Sequence, residues 1–233
     1  MNAIILAGGL GTRLRNAINN LPKVMAPVGG KPFLSYLLER LTLHNIDEVI
    51  LCVGYKYKFI RSYYGSYYKS LKIKYSIEEP LLGTGGAIKK ALKSSTFENS
   101  LVINGDTFLA LNFSEMIEKW VQHKHPLMVV RRASSIGRYE TVKIEESKIK
   151  GFIDRNEDKK GEFINAGHYI LPKYFLNKSG LLEPFSFEKD ILPLKSYYEQ
   201  FLTYECSEYF VDIGIPNDYI KAQTDLPKMG FYA

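Results

Sequence analysis

Cysteines are scarce in this sequence and long apolar segments are missing, and each shortage excludes a class of protein. The 233 residues include two cysteines, Cys52 and Cys206, too few for a disulfide framework or a zinc-binding pattern. No apolar run approaches the ~18 residues that a membrane-spanning helix needs. The N-terminus has no basic segment ahead of its short apolar run, as a secretory signal would. We therefore expect a cytoplasmic protein with no membrane partner.

Acidic residues are missing from two stretches of the chain. Residues 1–38 contain none, residues 55–75 contain none, and the formal net charge is +6. A positive field of this kind suits anionic partners such as nucleotides, sugar phosphates or nucleic acid. Residues 55–75 also hold seven tyrosines, a mixture that can bind single-stranded nucleic acid. A solvent-exposed helix or a subunit contact is the preferred interpretation, so we expect no nucleic acid partner and leave a homodimer open.

Short apolar runs alternate with helical patterns along the first 131 residues. Residues 3–7 and 49–53 are apolar runs of strand length, and between them Leu34, Leu37 and Leu41 share one helix face. This alternation predicts an α/β fold with a parallel sheet covered on both faces. A helix is predicted over residues 59–68. Beyond residue 131, short strands joined by polar turns surround a predicted helix over residues 187–198. The whole chain, residues 1–233, is interpreted as one domain.

The first predicted strand leads into a glycine-rich loop, Leu6–Leu14. Ligands of open α/β sheets bind beyond the carboxyl ends of the strands, where this loop lies. Glycines let backbone N–H groups approach an anion, and the guanidinium of Arg13 adds a rigid fork of donors. The loop lacks the dinucleotide-binding spacing, and the segment 30–32, Gly-Lys-Pro, is not a P-loop. With Lys23 ten residues further on, the pattern predicts a phosphate-binding site.

Residues 6–14 (LAGGLGTRL), 22–23 (PK) and 30–32 (GKP) together resemble the signature of the sugar-1-phosphate nucleotidyltransferase family. Further motifs at the family's spacing follow along the chain: residues 82–87, 104–106, 165–167 and 210–214. The resemblance implies a Rossmann-like α/β/α sandwich with a mostly parallel central sheet, of the GT-A-like type. It also implies an enzyme that joins a nucleoside triphosphate to a sugar 1-phosphate and releases pyrophosphate, with residues 1–131 as the nucleotide-binding half and 132–233 as the sugar-binding half.

The chemistry of this reaction agrees with the residues present. The second pKa of a phosphate monoester is ~6, so the attacking group is already an anion at pH 7 and needs no general base. Catalysis then consists of positioning and charge neutralisation. By resemblance, Arg13 contacts the departing β- and γ-phosphates, Lys23 contacts the α-phosphate and the sugar phosphate, and Asp106 completes the catalytic set. The nucleotide-binding loop comprises Leu6, Ala7, Gly8, Gly9, Gly11, Thr12 and Arg13.

Two aspartates are candidate magnesium ligands. Asp106 and Asp212 each follow an apolar run and lie beside a glycine. Taken alone, each of them would be interpreted as an aspartate of a turn or a helix cap. In the family, the matching aspartates hold the catalytic Mg²⁺, which prefers one or two carboxylates together with substrate phosphates.

The resemblance also locates the base and the sugar. Residues 82–86, Leu-Gly-Thr-Gly-Gly, match the family's base-contacting loop in the form typical of guanylyltransferases, which implicates Gly83 and Thr84. Glu78 precedes this loop and is either an acceptor for guanine or a solvated side chain. Sugar contacts fall on Gly105, Tyr139, Asn165 and Gly167, and Arg155 stands where the family often has a lysine.

Among the subfamilies, the motifs most resemble the D-glycero-α-D-manno-heptose 1-phosphate guanylyltransferases. This implies GTP and a heptose 1-phosphate as substrates and a role in bacterial surface-glycan precursor synthesis. N-acetylmuramate 1-phosphate uridylyltransferases and mannose 1-phosphate guanylyltransferases are the alternatives within the family. A non-catalytic nucleotide- or RNA-binding regulator is the alternative from a different class.

Overall fold

The computed structural model of the protein describes residues 1–9, 21–132, 141–153 and 163–229. Strands in this part of the chain are β1 Asn2–Leu6, β2 Pro27–Val28, β3 Lys31–Pro32, β4 Glu48–Val53, β5 Tyr67–Tyr68, β6 Leu71–Ile77, β7 Asn99–Asn104, β8 Thr107–Leu109, β9 Leu127–Arg132, β10 Thr141–Glu145, β11 Lys148–Ile153, β12 Phe163–Pro172, β13 Leu202–Glu205 and β14 Phe210–Asp212. Helices are α1 Phe33–Leu43, α2 Tyr57–Tyr64, α3 Gly83–Ser94, α4 Phe113–His123, α5 Lys195–Tyr198 and α6 Pro216–Lys228. A 3₁₀ turn, Lys23–Met25, and a π-helical turn, Phe187–Ile191, complete the described elements.

One ten-stranded sheet runs through the centre in the order β10-β11-β13-β9-β12-β7-β1-β4-β6-β5. Strands β6, β4, β1 and β7 are mutually parallel. Strand β12 lies antiparallel between β7 and β9, and β13 returns parallel to β9. The predicted α/β fold with a mostly parallel central sheet is therefore confirmed.

Both faces of the sheet are covered, as the continuous apolar strands predict. Along β1, Ala3 and Ile5 belong to one buried cluster, which includes α1 residues, and Ile4 belongs to the other, which includes α3 residues. Alternate side chains of a strand point to opposite faces, so one strand contributes to two cores. Among the described residues, no helix combines the length and the apolar character needed to cross a membrane.

Two helix boundaries differ from the sequence expectation. The helix predicted over residues 59–68 begins at Tyr57 and ends at Tyr64, because Gly65 adopts φ 61° and stops it. The helix predicted over residues 187–198 is broken into the turn Phe187–Ile191 and α5. Pro193 lies in the gap, where its missing N–H cannot continue a helical hydrogen-bond ladder.

Candidate active site

A cavity of about 530 Å³ opens at the carboxyl ends of the parallel strands. Its lining includes the predicted nucleotide-binding residues Leu6, Ala7, Gly8, Gly9, Glu78, Gly83 and Thr84, the predicted catalytic pair Lys23 and Asp106, and the predicted sugar residue Gly105. We call the part around Lys23 and Asp106 the lysine end, and the part around Glu78 and Thr84 the glutamate end. The lysine end follows β7 and the glutamate end follows β6, with β1 and β4 between these strands.

At the lysine end, one ammonium group lies between two carboxylates. Lys23 Nζ is 2.6 Å from Asp106 Oδ2 and 3.9 Å from Asp212 Oδ1. Asp106 precedes β8 and Asp212 ends β14, and the antiparallel pairing of these strands aligns Asp212 with Thr107. Gly214 N–H donates to Asp212 Oδ1 at 2.6 Å and fixes that carboxylate. The structure thus brings together three predicted functional side chains that are far apart in the sequence.

Glycines let the backbone close tightly around these groups. Gly105 follows β7 and donates a backbone hydrogen bond to Leu6 in the neighbouring strand β1, and a Cβ at Gly105 would lie 2.3 Å from the Leu6 carbonyl oxygen. A Cβ at Gly214 would lie 2.6 Å from Lys23 Nζ. At Gly105 the obstacle is backbone, so a side chain there would force the backbone apart. At Gly214 a side chain would instead displace the Lys23 ammonium group and the Asp212 carboxylate from their present contact.

The oxygen set at the lysine end fits a divalent cation such as Mg²⁺. Asp106 and Asp212 already hold a positive group between them, and their side chains are 39% and 21% exposed. Asp106 lines the cavity, and Asp212 lies behind Lys23 and is not part of the lining. Within the described ranges, no group of three or more His, Cys, Asp or Glu side chains could enclose a metal ion. Two carboxylates completed by ligand phosphates is the arrangement that Mg²⁺ commonly uses.

At the glutamate end, Glu78 is buried against the glycine-rich loop. Its Oε2 accepts a hydrogen bond from Leu82 N–H at 3.1 Å, and a Cβ at Gly8 would lie 2.8 Å from its Oε1. Burial raises the pKa of the Glu78 carboxyl, and the Leu82 hydrogen bond and the charge of Lys90 oppose that rise. Glu78 is therefore no solvated side chain: it is fixed in the cavity wall with one oxygen engaged by the loop.

The loop over residues 82–86 is shaped by a distant segment of the chain. Gly85 N–H donates to the Phe185 carbonyl at 3.0 Å, and Phe185 N–H donates to the Leu82 carbonyl at 3.1 Å. Gly83 adopts φ +73°, and a Cβ there would lie 2.4 Å from the Phe185 carbonyl oxygen. The glycines of this loop are thus required by close backbone packing as well as by access for a ligand.

Other predicted site residues lie away from this cavity or outside the described residues. Asn165 and Gly167 are in β12 and do not belong to the cavity lining. A Cβ at Gly167 would lie 2.9 Å from the Asn104 amide nitrogen, so Gly167 supports a lining residue from behind. Gly11, Thr12, Arg13, Tyr139 and Arg155 lie outside the described residues, and their roles remain predictions.

Sequence reasoning missed several residues of the cavity wall. Asn104 and Val24 line the lysine end beside the predicted pair, and Leu81, Ala87 and Glu188 line the glutamate end. Asn104 belongs to the motif over residues 104–106, so the family resemblance could have indicated it as a site residue. Glu188 is 104 residues from its partner Thr84, and no local pattern in the sequence indicates so distant a contact.

Four parallel strands lead to a glycine-lined cavity, and a cation lies there between two carboxylates, one after β7 and one at the end of β14. This combination is typical of α/β enzymes that act on phosphorylated ligands. The model of the nucleotidyl transferase family matches residues 2–229. The chain belongs to the nucleotidyl transferase family and is an enzyme.

Three similar proteins refine this picture. A D-glycero-alpha-D-manno-heptose 1-phosphate guanylyltransferase from Aneurinibacillus thermoaerophilus is 43% identical over 227 residues, covering 97% of this chain and 98% of that protein. A protein of the same name from Campylobacter jejuni is 41% identical, covering 94% and 97%. The crystal structure of HddC from Yersinia pseudotuberculosis complexed with GMP-PN has a TM-score of 0.84 at 34% identity, covering 97% of this chain and 99% of that one.

Proposed function

We propose that the protein transfers a guanylyl group from GTP to D-glycero-α-D-manno-heptose 1-phosphate, giving a GDP-sugar and pyrophosphate. The observation that carries the proposal is the 43% and 41% identity, over nearly the full length of both chains, to two guanylyltransferases for this sugar phosphate. The cavity supports it, because the Lys23 ammonium group, and a metal ion held by the two carboxylates beside it, would suit phosphates, and the fixed carboxylates at the other end suit a donor-rich base.

In this reaction, an oxygen of the sugar phosphate bonds to the α-phosphorus of GTP while the bond to the departing pyrophosphate oxygen breaks. Both reactants are anions, so their mutual repulsion opposes the approach. Lys23 lies where the two phosphates converge and neutralises charge there. Its contacts with Asp106 and Asp212 fix the ammonium group before the substrates bind. Arg13 is proposed to hold the β- and γ-phosphates.

Asp106 and Asp212 are proposed to hold the catalytic Mg²⁺ together with phosphate oxygens. A bound Mg²⁺ supplies positive charge to the phosphate oxygens of the transition state. Lys23 contacts the same two carboxylates, so a divalent cation held there would act on the same developing negative charge as the ammonium group.

We also infer that the two halves of the chain bind different substrates. Residues 1–131 bind the nucleotide, and residues 132–233 bind the sugar through Tyr139, Arg155, Asn165 and Gly167, all within one domain. The glutamate end joins the halves, because the segment around Phe185 packs on the loop over residues 82–86. A cytoplasmic location is proposed because GTP and sugar phosphates are made there.

The test is a substrate panel with pyrophosphate release as the measurement. GTP, UTP, ATP and dTTP are each combined with heptose, mannose and N-acetylmuramate 1-phosphates in the presence of Mg²⁺. We expect GTP to exceed UTP and dTTP at least ~10-fold in kcat/KM, because a site built to hydrogen-bond one base edge penalises bases that lack it. We expect the heptose phosphate to be the best acceptor.

Two outcomes would contradict the proposal in different ways. Equal or better use of UTP would favour the uridylyltransferase alternative, and preference for mannose 1-phosphate would correct the sugar while keeping the base. Absence of pyrophosphate release with every pair, despite measurable GTP binding, would favour a non-catalytic nucleotide-binding protein.

A further inference from the structure

Glu188 is a carboxylate of the cavity wall to which the family motifs assign no role. It belongs to the turn Phe187–Ile191 in the C-terminal half of the chain, and it lines the cavity together with Glu78, Gly83 and Thr84. It therefore adds a second carboxylate to the glutamate end. Among the described lining residues, the only cation is Lys23, which lies at the other end.

Hydrogen bonds hold Glu188 in place through one of its two oxygens. Thr84 Oγ1 donates to Glu188 Oε2 at 2.6 Å, and Ser186 Oγ donates to the same oxygen at 3.1 Å. The Thr84 hydroxyl in turn accepts from Phe187 N–H at 2.8 Å. Within the described part of the chain, no hydrogen bond ends on Glu188 Oε1, although each carboxylate oxygen can accept two.

Glu78 has the same division between its oxygens. Its Oε2 is engaged by Leu82 N–H, and Oε1 lies beside Gly8. In the described part of the chain, Glu78 Oε1 accepts no hydrogen bond, whereas Oε2 is already shared with the loop. A base with two adjacent donor groups is held best by two acceptors, and Glu188 Oε1 is a second carboxylate oxygen at the same end of the cavity.

We propose that Glu188 is a specificity-determining residue that accepts a hydrogen bond from the donor edge of guanine. That edge carries the ring N1–H and the exocyclic 2-amino group, whereas uracil and thymine carry one ring N–H and no amino group. Glu78 and Glu188, each fixed by the loop through one oxygen, match the two donors of guanine. The inference rests on the proposed use of GTP.

The alternative role for Glu188 is structural. Its bonds to Thr84 and Ser186 tie the turn Phe187–Ile191 to the start of α3, and loss of that tie would loosen the loop for every nucleotide alike. The two roles differ in their readout: a base contact changes the ratio between nucleotides, whereas a structural tie changes all nucleotides together.

The experiment measures kcat/KM for GTP and for UTP in the wild type, Glu188→Gln and Glu188→Asp. Glutamine keeps an oxygen for Thr84 but turns a donor toward the base, and aspartate keeps the charge but withdraws it by one methylene. For both variants we expect the GTP/UTP ratio to fall at least ~10-fold, the loss typical of a hydrogen bond to a charged group. Calorimetric binding of GTP and UTP provides a second measurement that does not depend on turnover.

Glu79→Gln is the matched control. Glu79 is exposed, adjoins Glu78 and is not part of the cavity wall, so the same change of charge should leave the GTP/UTP ratio unchanged. A ratio that stays at the wild-type value in both Glu188 variants would overturn the inference and assign Glu188 a structural role. If the wild type itself does not prefer GTP, the proposed function fails on its base and this inference fails with it; a wild-type preference that survives both substitutions overturns Glu188 alone.

Discussion

Two carboxylates around one ammonium group set the charge at the lysine end of the cavity. We expect Asp106→Asn and Asp212→Asn each to lower kcat at least ~100-fold, because a metal-and-cation clamp contributes several kcal/mol to such a transition state and ~2.7 kcal/mol already corresponds to 100-fold. Asparagine keeps the shape of aspartate, and at position 212 it still accepts from Gly214 N–H. Steady-state turnover at saturating Mg²⁺, with thermal melting to verify folding, is the measurement.

Asp47→Asn serves as the control for this pair. Asp47 is exposed, comes just before β4 and is not among the cavity-lining residues, so the same loss of one charge should leave turnover unchanged. Near-normal rates in both cavity variants would remove Asp106 and Asp212 from the metal site.

At the scale of elements, the loop that opens α3 is held in shape by the segment around Phe185. We expect Gly83→Ala to weaken GTP binding at least ~10-fold, because the new Cβ would lie 2.4 Å from the Phe185 carbonyl and must displace one of the two segments. A left-handed φ adds about 1 kcal/mol or more of strain for alanine. Titration calorimetry with GTP measures the change in affinity.

Gly65→Ala separates the effect of backbone strain from the effect of the contact with Phe185. Gly65 also adopts a left-handed φ, +61°, but a Cβ there would meet nothing within 4 Å. Its substitution should lower thermal stability through backbone strain alone and leave GTP affinity intact. If Gly83→Ala binds GTP as tightly as Gly65→Ala, the contact with Phe185 does not shape the binding loop.

Most elements could be predicted from the sequence because their signals are local. The apolar runs of β1 and β4 and the face formed by Leu34, Leu37 and Leu41 needed no tertiary information. The residues of the lysine end could also be predicted, because they belong to motifs of the family. The bond between Thr84 and Glu188 was not, because it depends on how two segments 104 residues apart pack together.

At the scale of the whole molecule, one histidine couples stability to pH. His168 in β12 is 1% exposed, and its Nδ1–H donates to the Ala166 carbonyl at 2.9 Å. Burial lowers the pKa of His168 to about 4, against an ordinary value of 6.5; the Ala166 hydrogen bond opposes this shift, and the charge of Arg40 adds a smaller lowering. Between pH 6.5 and pH 4 the imidazole of His168 is therefore protonated in the unfolded chain but neutral in the folded chain. Acid consequently favours unfolding.

The contribution of His168 is fully present above pH 6.5 and is lost as the pH falls toward 4. A shift of this size corresponds to about 3 kcal/mol. We expect the free energy of unfolding, from denaturant titrations between pH 4 and 7.5, to fall with acidification by about that much more in the wild type than in His168→Gln. The exposed His123→Gln should keep the wild-type slope, and equal slopes in all three proteins would show that His168 does not set it.

Strand β12 lies between β7 and β9, although both of these strands precede it in the chain. During synthesis, β7 therefore has one unpaired edge until about 70 further residues have been added. At 5–20 residues per second this interval lasts roughly 3–15 s. An unpaired apolar strand edge is a template for pairing with other chains, so the edge of β7 is open to contact with neighbouring nascent chains until its own β12 emerges.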